Sequence, residues 1–127
     1  MLADSKAFSG FAVDDIAKAT AFYGETLGLR TETIDMGPAQ LLTLHLAGDT
    51  DVMVYDKPDF VPATYTILNF TVDDVDAAVD GLVAKGVSFE TYEGFDQDEK
   101  GIARGAGPNI AWFKDPAGNI LSVLEQP

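Results

Sequence analysis

The stretch FAVDDIAKA, Phe11–Ala19, decides the fold because the chain repeats it as FTVDDVDAA, Phe70–Ala78. The two copies begin 70 − 11 = 59 residues apart in a chain of 127 residues. In each copy an alternating segment meets an Asp-Asp pair and then changes to helical periodicity, which predicts a strand that runs into a helix. The chain therefore contains an internal repeat of one structural unit.

The Asp-Asp pairs are most simply explained as helix caps. Asp14 or Asp15 in the first copy, and Asp73 or Asp74 in the second, can accept hydrogen bonds from free N–H groups of the first helical turn. Their negative charge also suits the positive end of the helix dipole. We therefore interpret both pairs as structural rather than catalytic.

Each half continues after its helix with three further strand-like segments. Gly28 and Gly86 are placed to end the two helices, and turn residues separate the segments that follow. In the second half the first of these segments is Val87–Tyr92. The fold prediction is therefore α+β, a single domain over residues 1–127 built from two βαβββ modules in tandem. Module one covers about residues 5–57 and module two about residues 64–126.

The charge balance is strongly acidic, with 21 Asp and Glu against 8 Lys and Arg and a formal net charge of −13. Such a field repels nucleic acid and anionic membranes, because both are bound mainly through Lys and Arg. It would attract a cationic ligand, although a surface that favours solubility is the simpler interpretation. We expect neither a nucleic-acid partner nor a membrane partner.

Cysteine is absent from the sequence, which excludes disulfides, thiol nucleophiles and thiolate metal sites. No run approaches the roughly 20 apolar residues that a membrane-spanning helix needs. The first residues also lack the pattern of a signal peptide. A cytoplasmic location is the expectation.

Two motifs resemble those of the vicinal oxygen chelate superfamily. They are VDDIAKATAFYGETLGL, Val13–Leu29, and FKDPAGN, Phe113–Asn119. This superfamily includes glyoxalase I, extradiol dioxygenases, and the bleomycin and fosfomycin resistance proteins. The resemblance implies curved, mainly antiparallel sheets around a cavity, and a homodimer in which modules from both chains form each cavity.

In metal-using members of that superfamily, four strand positions supply His, Gln or Glu ligands to a divalent ion. The resemblance places these positions at Phe8, Val54, Ile67 and Ser122. A slip of one residue would give Ser9, Tyr55, Leu68 and Val123 instead. Neither set offers good ligands for a hard or borderline divalent cation, so we predict no metal and no cofactor.

If those positions carry over, alternation along the strands assigns side chains to the cavity. The expected substrate-binding residues are Phe8, Gly10, Val54, Ile67, Asn69, Trp112, Ser122 and Arg104. This set is apolar with a few polar groups, which is typical of small-molecule sites. Two alternatives stay open: the cavity can be collapsed into a filled core, and Trp112 can belong to the rim or to the core.

Arg104 belongs to the segment EGFDQDEKGIARGAG, residues 93–107, which is longer than an ordinary hairpin connection. Long loops in compact domains are often binding loops, so we consider a lid in which Arg104 provides a cationic contact. His45 is the only histidine and a weak catalytic candidate, because imidazole can act as acid or base near neutral pH. Without a carboxylate at a recognisable spacing, a half-exposed strand residue is the simpler interpretation.

Two functions follow from the resemblance. The first is a metal-independent small-molecule-binding protein of the glyoxalase/bleomycin resistance type, whose apolar cavity favours an aromatic or cationic ligand. The alternative is a lyase, isomerase or dioxygenase-like enzyme acting on a small oxygenated substrate. Because the family's chemistry relies on a metal to polarise substrate oxygens, the missing ligands favour binding.

Overall fold

The chain folds into two compact units, in agreement with the sequence repeat. The computed structural model describes residues 1–105 and 107–126, and the units divide after Pro62. Unit 1 is Met1–Pro62, and unit 2 begins at Ala63. Each unit has one sheet with a helix packed on it, which confirms the α+β prediction.

Unit 1 has the strand, helix and three further strands that the sequence predicts. After a 3₁₀ turn at Leu2–Asp4, its elements are β1 (Ser9–Val13), α1 (Ile16–Thr20), β2 (Arg30–Met36), β3 (Ala39–Leu46) and β4 (Thr50–Asp56). The sheet order is β1-β4-β3-β2, in which β1 is parallel to β4 and the other pairs are antiparallel. The single parallel pair joins the first and last strands of the unit.

One face of this sheet packs against α1 and forms the core of unit 1. Alternate residues of β1, β3 and β4 are buried there, namely Phe11, Val13, Leu42, Leu44, Val52 and Val54. Ile16 and Ala19 of α1 cover them. Period-two burial of this kind leaves the intervening residues on the opposite face.

Helix α1 continues directly into a π-helical turn, Ala21–Thr26. The wider turn is closed by the Leu27 N–H, which donates to the Phe22 carbonyl at 2.9 Å. It directs Tyr23 into the core, where the side chain is fully buried and its ring lies 5.7 Å from that of Phe11. Apolar spacing alone predicted a regular helix, because one π turn shifts the pattern by only one residue.

The caps are confirmed, and the structure assigns them to the second Asp of each pair. The Asp15 carboxylate accepts from the Lys18 N–H at 3.1 Å, and the Asp74 carboxylate accepts from the Ala77 N–H at 3.2 Å. In unit 2 the helix end is also as predicted. Gly86 has φ 93°, and its N–H donates to the carbonyl of Val83 at 2.9 Å.

Unit 2 contains β5 (Thr66–Val72), α2 (Val75–Ala84), β6 (Ile110–Lys114) and β7 (Ile120–Glu125). The sheet order is β5-β7-β6, with β5 parallel to β7 and β6 antiparallel to β7. Helix α2 packs on β6 and β7. Its start is fixed by Glu125, whose carboxylate accepts from the Val75 N–H at 2.9 Å.

The predicted strand Val87–Tyr92 is wrong as a regular strand. It forms only an isolated bridge between Phe89 and Phe113, with the Glu90 N–H donating to the Trp112 carbonyl at 2.8 Å. The Gln97 side chain explains the interruption, because its amide accepts from the Tyr92 N–H at 2.7 Å and donates to the Glu90 carbonyl at 3.0 Å. The Gln97 side chain therefore forms hydrogen bonds with backbone groups that a continuous β-strand would use to pair with its neighbour.

The FKDPAGN motif forms a buried turn between β6 and β7. The Asp115 carboxylate accepts from the backbone N–H of Asn119 at 2.8 Å and from its side-chain amide at 3.1 Å. The Asn119 amide oxygen in turn accepts from the Ala63 N–H at 3.3 Å. The motif therefore ties the start of unit 2 to the turn before its last strand, which is a structural role.

Candidate functional site

The candidate site lies on the face of each sheet that its own helix leaves uncovered. We call this surface the helix-free face. In unit 1 the cross-strand pairs assign to this face Gly10, Ala12, Arg30, Glu32, Ile34, Leu41, Thr43, His45, Asp51, Met53 and Tyr55. In unit 2 the pairs assign to it Asn69, Thr71, Ile110, Trp112, Lys114, Ile120, Ser122 and Leu124.

Val54 does not share a face with Gly10, so this part of the sequence prediction is wrong. Val54 pairs with Phe11 and is fully buried on the helix side, whereas Gly10 pairs with Met53. The count along β4 was out by one residue because no motif in that strand fixes which side chains point where. Met53 therefore occupies the position on the helix-free face that the sequence prediction gave to Val54.

Gly10 allows the close approach of two strands. A Cβ atom at this position would lie 3.1 Å from the Met53 carbonyl oxygen, which belongs to the backbone of β4. A side chain here would push β1 away from its parallel partner. Phe8, two residues earlier, precedes β1 and has 68% of its surface exposed.

In unit 2 the corresponding pair is Asn69 and Ser122, which lie opposite each other in β5 and β7. The Ser122 hydroxyl donates to the Asn69 amide oxygen at 2.6 Å, and Ser122 is fully buried. Asn69 is 69 − 10 = 59 residues after Gly10, the spacing of the sequence repeat. Ile67 lies between Thr66 and Leu68, where the register of β5 with β7 shifts.

These residues do not fit a hard divalent cation. In unit 1 the pair Gly10 and Met53 offers only a thioether sulfur atom. In unit 2 the Asn69 amide oxygen and the Ser122 hydroxyl are hydrogen-bonded to each other. Such ions prefer carboxylate, imidazole or free carbonyl oxygen donors. Within residues 1–105 and 107–126, no group of three or more His, Asp or Glu side chains is placed to hold a metal.

Trp112 lies beside Ser122 in the register of β6 and β7, so its indole is on the helix-free face of unit 2. Its ring centroid is 5.7 Å from that of Tyr92, edge on, and 5.0 Å from that of Phe95. Phe95 is 55% exposed and Trp112 is half-buried. These three residues form the aromatic cluster of unit 2, in which the Trp112 ring contacts both other rings.

The Tyr92 hydroxyl is a buried group with no hydrogen-bond partner in the described structure. Burial, together with the nearby Glu90 carboxylate, raises the pKa of this phenol, so it stays protonated at neutral pH. A buried donor without an acceptor is unfavourable by about 1–3 kcal/mol. The aromatic cluster therefore contains one unsatisfied O–H group. Sequence reasoning missed Tyr92 and Phe95, which flank a loop whose path no pattern predicted.

The structure places Arg104 against α2 rather than over the helix-free face. Its guanidinium contacts both carboxylate oxygens of Asp76 at 2.9 Å and the Asp98 carboxylate at 3.2 Å. The hydrogen bond with Asp76, and then that with Asp98, raises the pKa of Arg104. Ile102 of the same loop is fully buried, so the described part of this loop is anchored. Ala106, within the predicted lid, lies outside the described residues.

His45 has two carboxylate partners, which the sequence did not reveal. Its Nδ1 atom lies 2.8 Å from the Asp51 carboxylate and its Nε2 atom lies 3.3 Å from the Glu32 carboxylate. The hydrogen bond with Asp51, and then that with Glu32, raises the pKa of His45 above its ordinary value of 6.5. The signal was present in the pairing, because Asp51 is directly opposite His45 across β3 and β4.

A surface cleft of about 380 Å³ lies on the helix side of unit 2. Its lining is Val79, Asp80, Val83, Phe89, Thr91, Glu99, Lys100 and Gly101. None of the sequence-predicted site residues contributes to it. Its only ammonium group, on Lys100, is already 3.1 Å from the Asp80 carboxylate.

Comparison with known proteins agrees with the fold. A family model described as Glyoxalase/Bleomycin resistance protein/Dioxygenase superfamily matches residues 7–123. A comparison with curated proteins gives no significant match. Over the part of the chain that is described, no helix has the length and apolar character needed to cross a membrane.

Three solved structures illustrate the likeness. TnmS3, an antibiotic binding protein from Streptomyces sp. CB03234, is 26% identical with a TM-score of 0.72, covering 98% of each chain. A superfamily member from Sphaerobacter thermophilus DSM 20745 is 24% identical with a TM-score of 0.71, covering 96% of this chain and 98% of its own. The fosfomycin resistance protein FosX from Listeria monocytogenes is 17% identical with a TM-score of 0.66, covering 98% of this chain and 92% of its own.

Proposed function

Because the chain belongs to the glyoxalase/bleomycin resistance protein/dioxygenase superfamily, we propose that it is a metal-independent small-molecule-binding protein. The helix-free face of unit 2 is the binding surface in this proposal. The observation that carries it is the aromatic cluster, where the Trp112 ring contacts the rings of Tyr92 and Phe95 and Trp112 is paired with Ser122 across β6 and β7. Apolar area with a few placed polar groups is the usual composition of a ligand site.

Metal independence is supported by the chemistry of the two equivalent strand pairs. Met53 is a soft thioether, and Gly10 has no side chain. Asn69 and Ser122 satisfy each other at 2.6 Å, so a cation would have to break a short hydrogen bond to reach them. A divalent ion would gain too little from these groups to replace its hydration shell.

An aromatic ligand, neutral or cationic, is the proposed class. Phe95 and Trp112 present ring surface, and aromatic rings pair favourably with other rings in tilted or offset contacts. The net charge of −13 raises the local concentration of cations around the protein.

The experiment uses Trp112, the only tryptophan in the chain, as a reporter within the proposed site. A panel of aromatic cations and neutral polycyclic compounds is titrated while indole fluorescence and thermal unfolding are followed. We expect a subset to quench the fluorescence and raise the unfolding temperature together. Quenching without stabilisation, or a panel with no response, would contradict the proposal and favour a filled core.

Two variants distinguish binding at the proposed site from non-specific binding. Phe95→Ala removes an exposed ring and should weaken binding by roughly 1 kcal/mol, since stacked aromatic contacts have that magnitude. Tyr65→Ala is the matched control, because Tyr65 is 70% exposed and lies outside the aromatic cluster. Equal losses in both variants would indicate non-specific binding.

The alternative function is a lyase, isomerase or dioxygenase-like enzyme acting on a small oxygenated substrate. Metal analysis of protein purified without chelator separates the two. A stoichiometric divalent ion would support the enzyme and refute the metal-independent site. We also propose a homodimer and a cytoplasmic location, which light scattering and cell fractionation would test.

A further inference from the structure

Three side chains form a row across the helix-free face of unit 1. Glu32, His45 and Asp51 come from β2, β3 and β4, three adjacent strands of the sheet. His45 is the central member, and its two ring nitrogens contact the two carboxylates at 2.8 and 3.3 Å. The imidazole side chain is 28% exposed, which leaves one edge accessible to small molecules.

Both contacts can be hydrogen bonds only when the ring carries two N–H groups. An ionised carboxylate is an acceptor, and neutral imidazole has one donor nitrogen and one acceptor nitrogen. The arrangement with both carboxylates bonded is therefore that of the imidazolium ion. Loss of one proton must break one of the two hydrogen bonds and leave a nitrogen lone pair facing a carboxylate.

The geometry indicates which hydrogen bond breaks. The Asp51 contact is shorter by 3.3 − 2.8 = 0.5 Å, and Asp51 lies directly opposite His45 in the strand register. Glu32 pairs with Thr43 instead, reaches His45 diagonally, and has a side chain that is 65% exposed. The neutral ring therefore keeps its proton on Nδ1 for Asp51, and Glu32 moves away from Nε2 into solvent.

Charged side chains from the two strands beside β3 act on His45. Asp51 from β4 and Glu32 from β2 stabilise the imidazolium, whereas Arg30, paired with His45 on β2, opposes it through its positive charge. The two carboxylates have the larger effect. The pKa of His45 is therefore raised above its ordinary value of 6.5.

We propose that His45 Nε2 is a proton-accepting site on the helix-free face of unit 1, suited to a ligand with an O–H donor such as a phenol. Asp51 orients the imidazole ring. Glu32 covers Nε2 only while the ring is protonated. This site is separate from the aromatic cluster of unit 2. In the neutral ring, Nε2 has the free lone pair that such a donor needs, and the carboxylate that blocked it has been released.

The first test is ¹⁵N NMR of the lone histidine in the full-length protein. Above the pKa, we expect wild-type His45 to be the Nδ1–H tautomer, the reverse of the usual preference of free histidine. Asp51→Ala removes the acceptor for Nδ1–H and should lower the pKa and abolish that tautomer, whereas Glu32→Gln should lower the pKa and keep it. Asp49→Asn removes a nearby charge without touching His45 and should change neither. An Nε2–H tautomer in the wild type would overturn the proposal.

The second test measures binding of 4-fluorophenol by ¹⁹F NMR between about pH 5 and pH 8, with 4-fluoroanisole as a probe that lacks the O–H group. Phenol affinity should rise about tenfold per pH unit below the pKa of His45 and level off above it, because binding excludes one proton. The anisole should show no such rise. A pH-independent phenol affinity, or the same rise in His45→Gln, would refute the site.

Discussion

Ser122 and Asn69 form a 2.6 Å hydrogen bond across the parallel strands β5 and β7, at the position where unit 1 has Met53 and Gly10. The bond joins a fully buried hydroxyl to an amide on the exposed edge strand. It defines the polar part of the helix-free face of unit 2, next to Trp112.

Ser122→Ala should reduce the free energy of unfolding by about 1 kcal/mol, because the hydroxyl is lost and the Asn69 amide turns to water. Asn69→Ala should reduce the free energy of unfolding by more than Ser122→Ala does, since it leaves the buried Ser122 hydroxyl without its acceptor. Urea unfolding measures both. If Asn69→Ala proves neutral while Ser122→Ala destabilises, the hydroxyl must find another acceptor.

The buried turn at Asp115 should be among the more sensitive positions in unit 2. Asn119→Ala removes the side-chain amide donor to the Asp115 carboxylate and the acceptor for the Ala63 N–H, and we expect a loss of about 2–3 kcal/mol. Most of this loss should come from the side-chain bonds, because the backbone N–H remains. Lys114→Ala is the control in the same turn, since its ion pair with Glu90 at 3.7 Å is exposed and worth less than about 1 kcal/mol.

The helix caps allow a matched comparison within each Asp pair. Asp15→Ala and Asp74→Ala should each reduce the free energy of unfolding by about 1 kcal/mol, because each removes an acceptor for a first-turn N–H. Asp14→Ala and Asp73→Ala remove the same charge and should have a smaller effect. Equal effects within a pair would mean that charge, rather than the cap, determines stability.

Arg104 should hold the loop after Phe95 against α2. Arg104→Ala should speed amide hydrogen exchange at Ile102, whose N–H donates to the Asp98 carboxylate at 2.9 Å, by releasing the constraint on Asp98. Because the ion pairs are partly exposed, high salt should reduce the difference between variant and wild type. Arg30→Ala, in unit 1, is the control and should leave exchange at Ile102 unchanged.

The pH dependence of stability should have a definite sign at His45. Its pKa is raised in the folded protein, mainly by Asp51, so folding favours the protonated ring. The resulting stability is fully present below the unfolded pKa of about 6.5 and is lost as pH rises through the folded pKa. The difference in unfolding free energy between wild type and His45→Gln should therefore shrink above pH 6.5. A difference that grows with pH would contradict the assigned hydrogen bonds.

The sequence predicted features that depend on neighbouring residues. A cap within each Asp-Asp pair and the helix end at Gly86 follow from short-range hydrogen bonding, and each is confirmed. The α+β class followed from the repeated strand-helix pattern, and the family followed from two motifs that are structural: the helix start after Val13 and the Asp115 turn. These signals were sufficient for the fold and gave no chemistry.

The site was harder to predict because it depends on cross-strand partners. Val54 was assigned to the wrong face by a one-residue error that nothing local in β4 corrects. His45 and Asp51 are six residues apart, and only the pairing of β3 with β4 brings them together. The prediction of a strand at Val87–Tyr92 failed for a related reason, since the Gln97 side chain accepts a hydrogen bond from the Tyr92 backbone N–H.

The presence of Asn69 and Ser122 where unit 1 has Gly10 and Met53 means that the two halves share a strand-helix pattern but differ in chemistry. One half has a hydrogen-bonding pair and an indole, while the other has a bare backbone, a sulfur atom and an imidazole between two acids. Each face therefore presents different chemical groups to a ligand. A molecule recognised by such a chain need have no symmetry of its own.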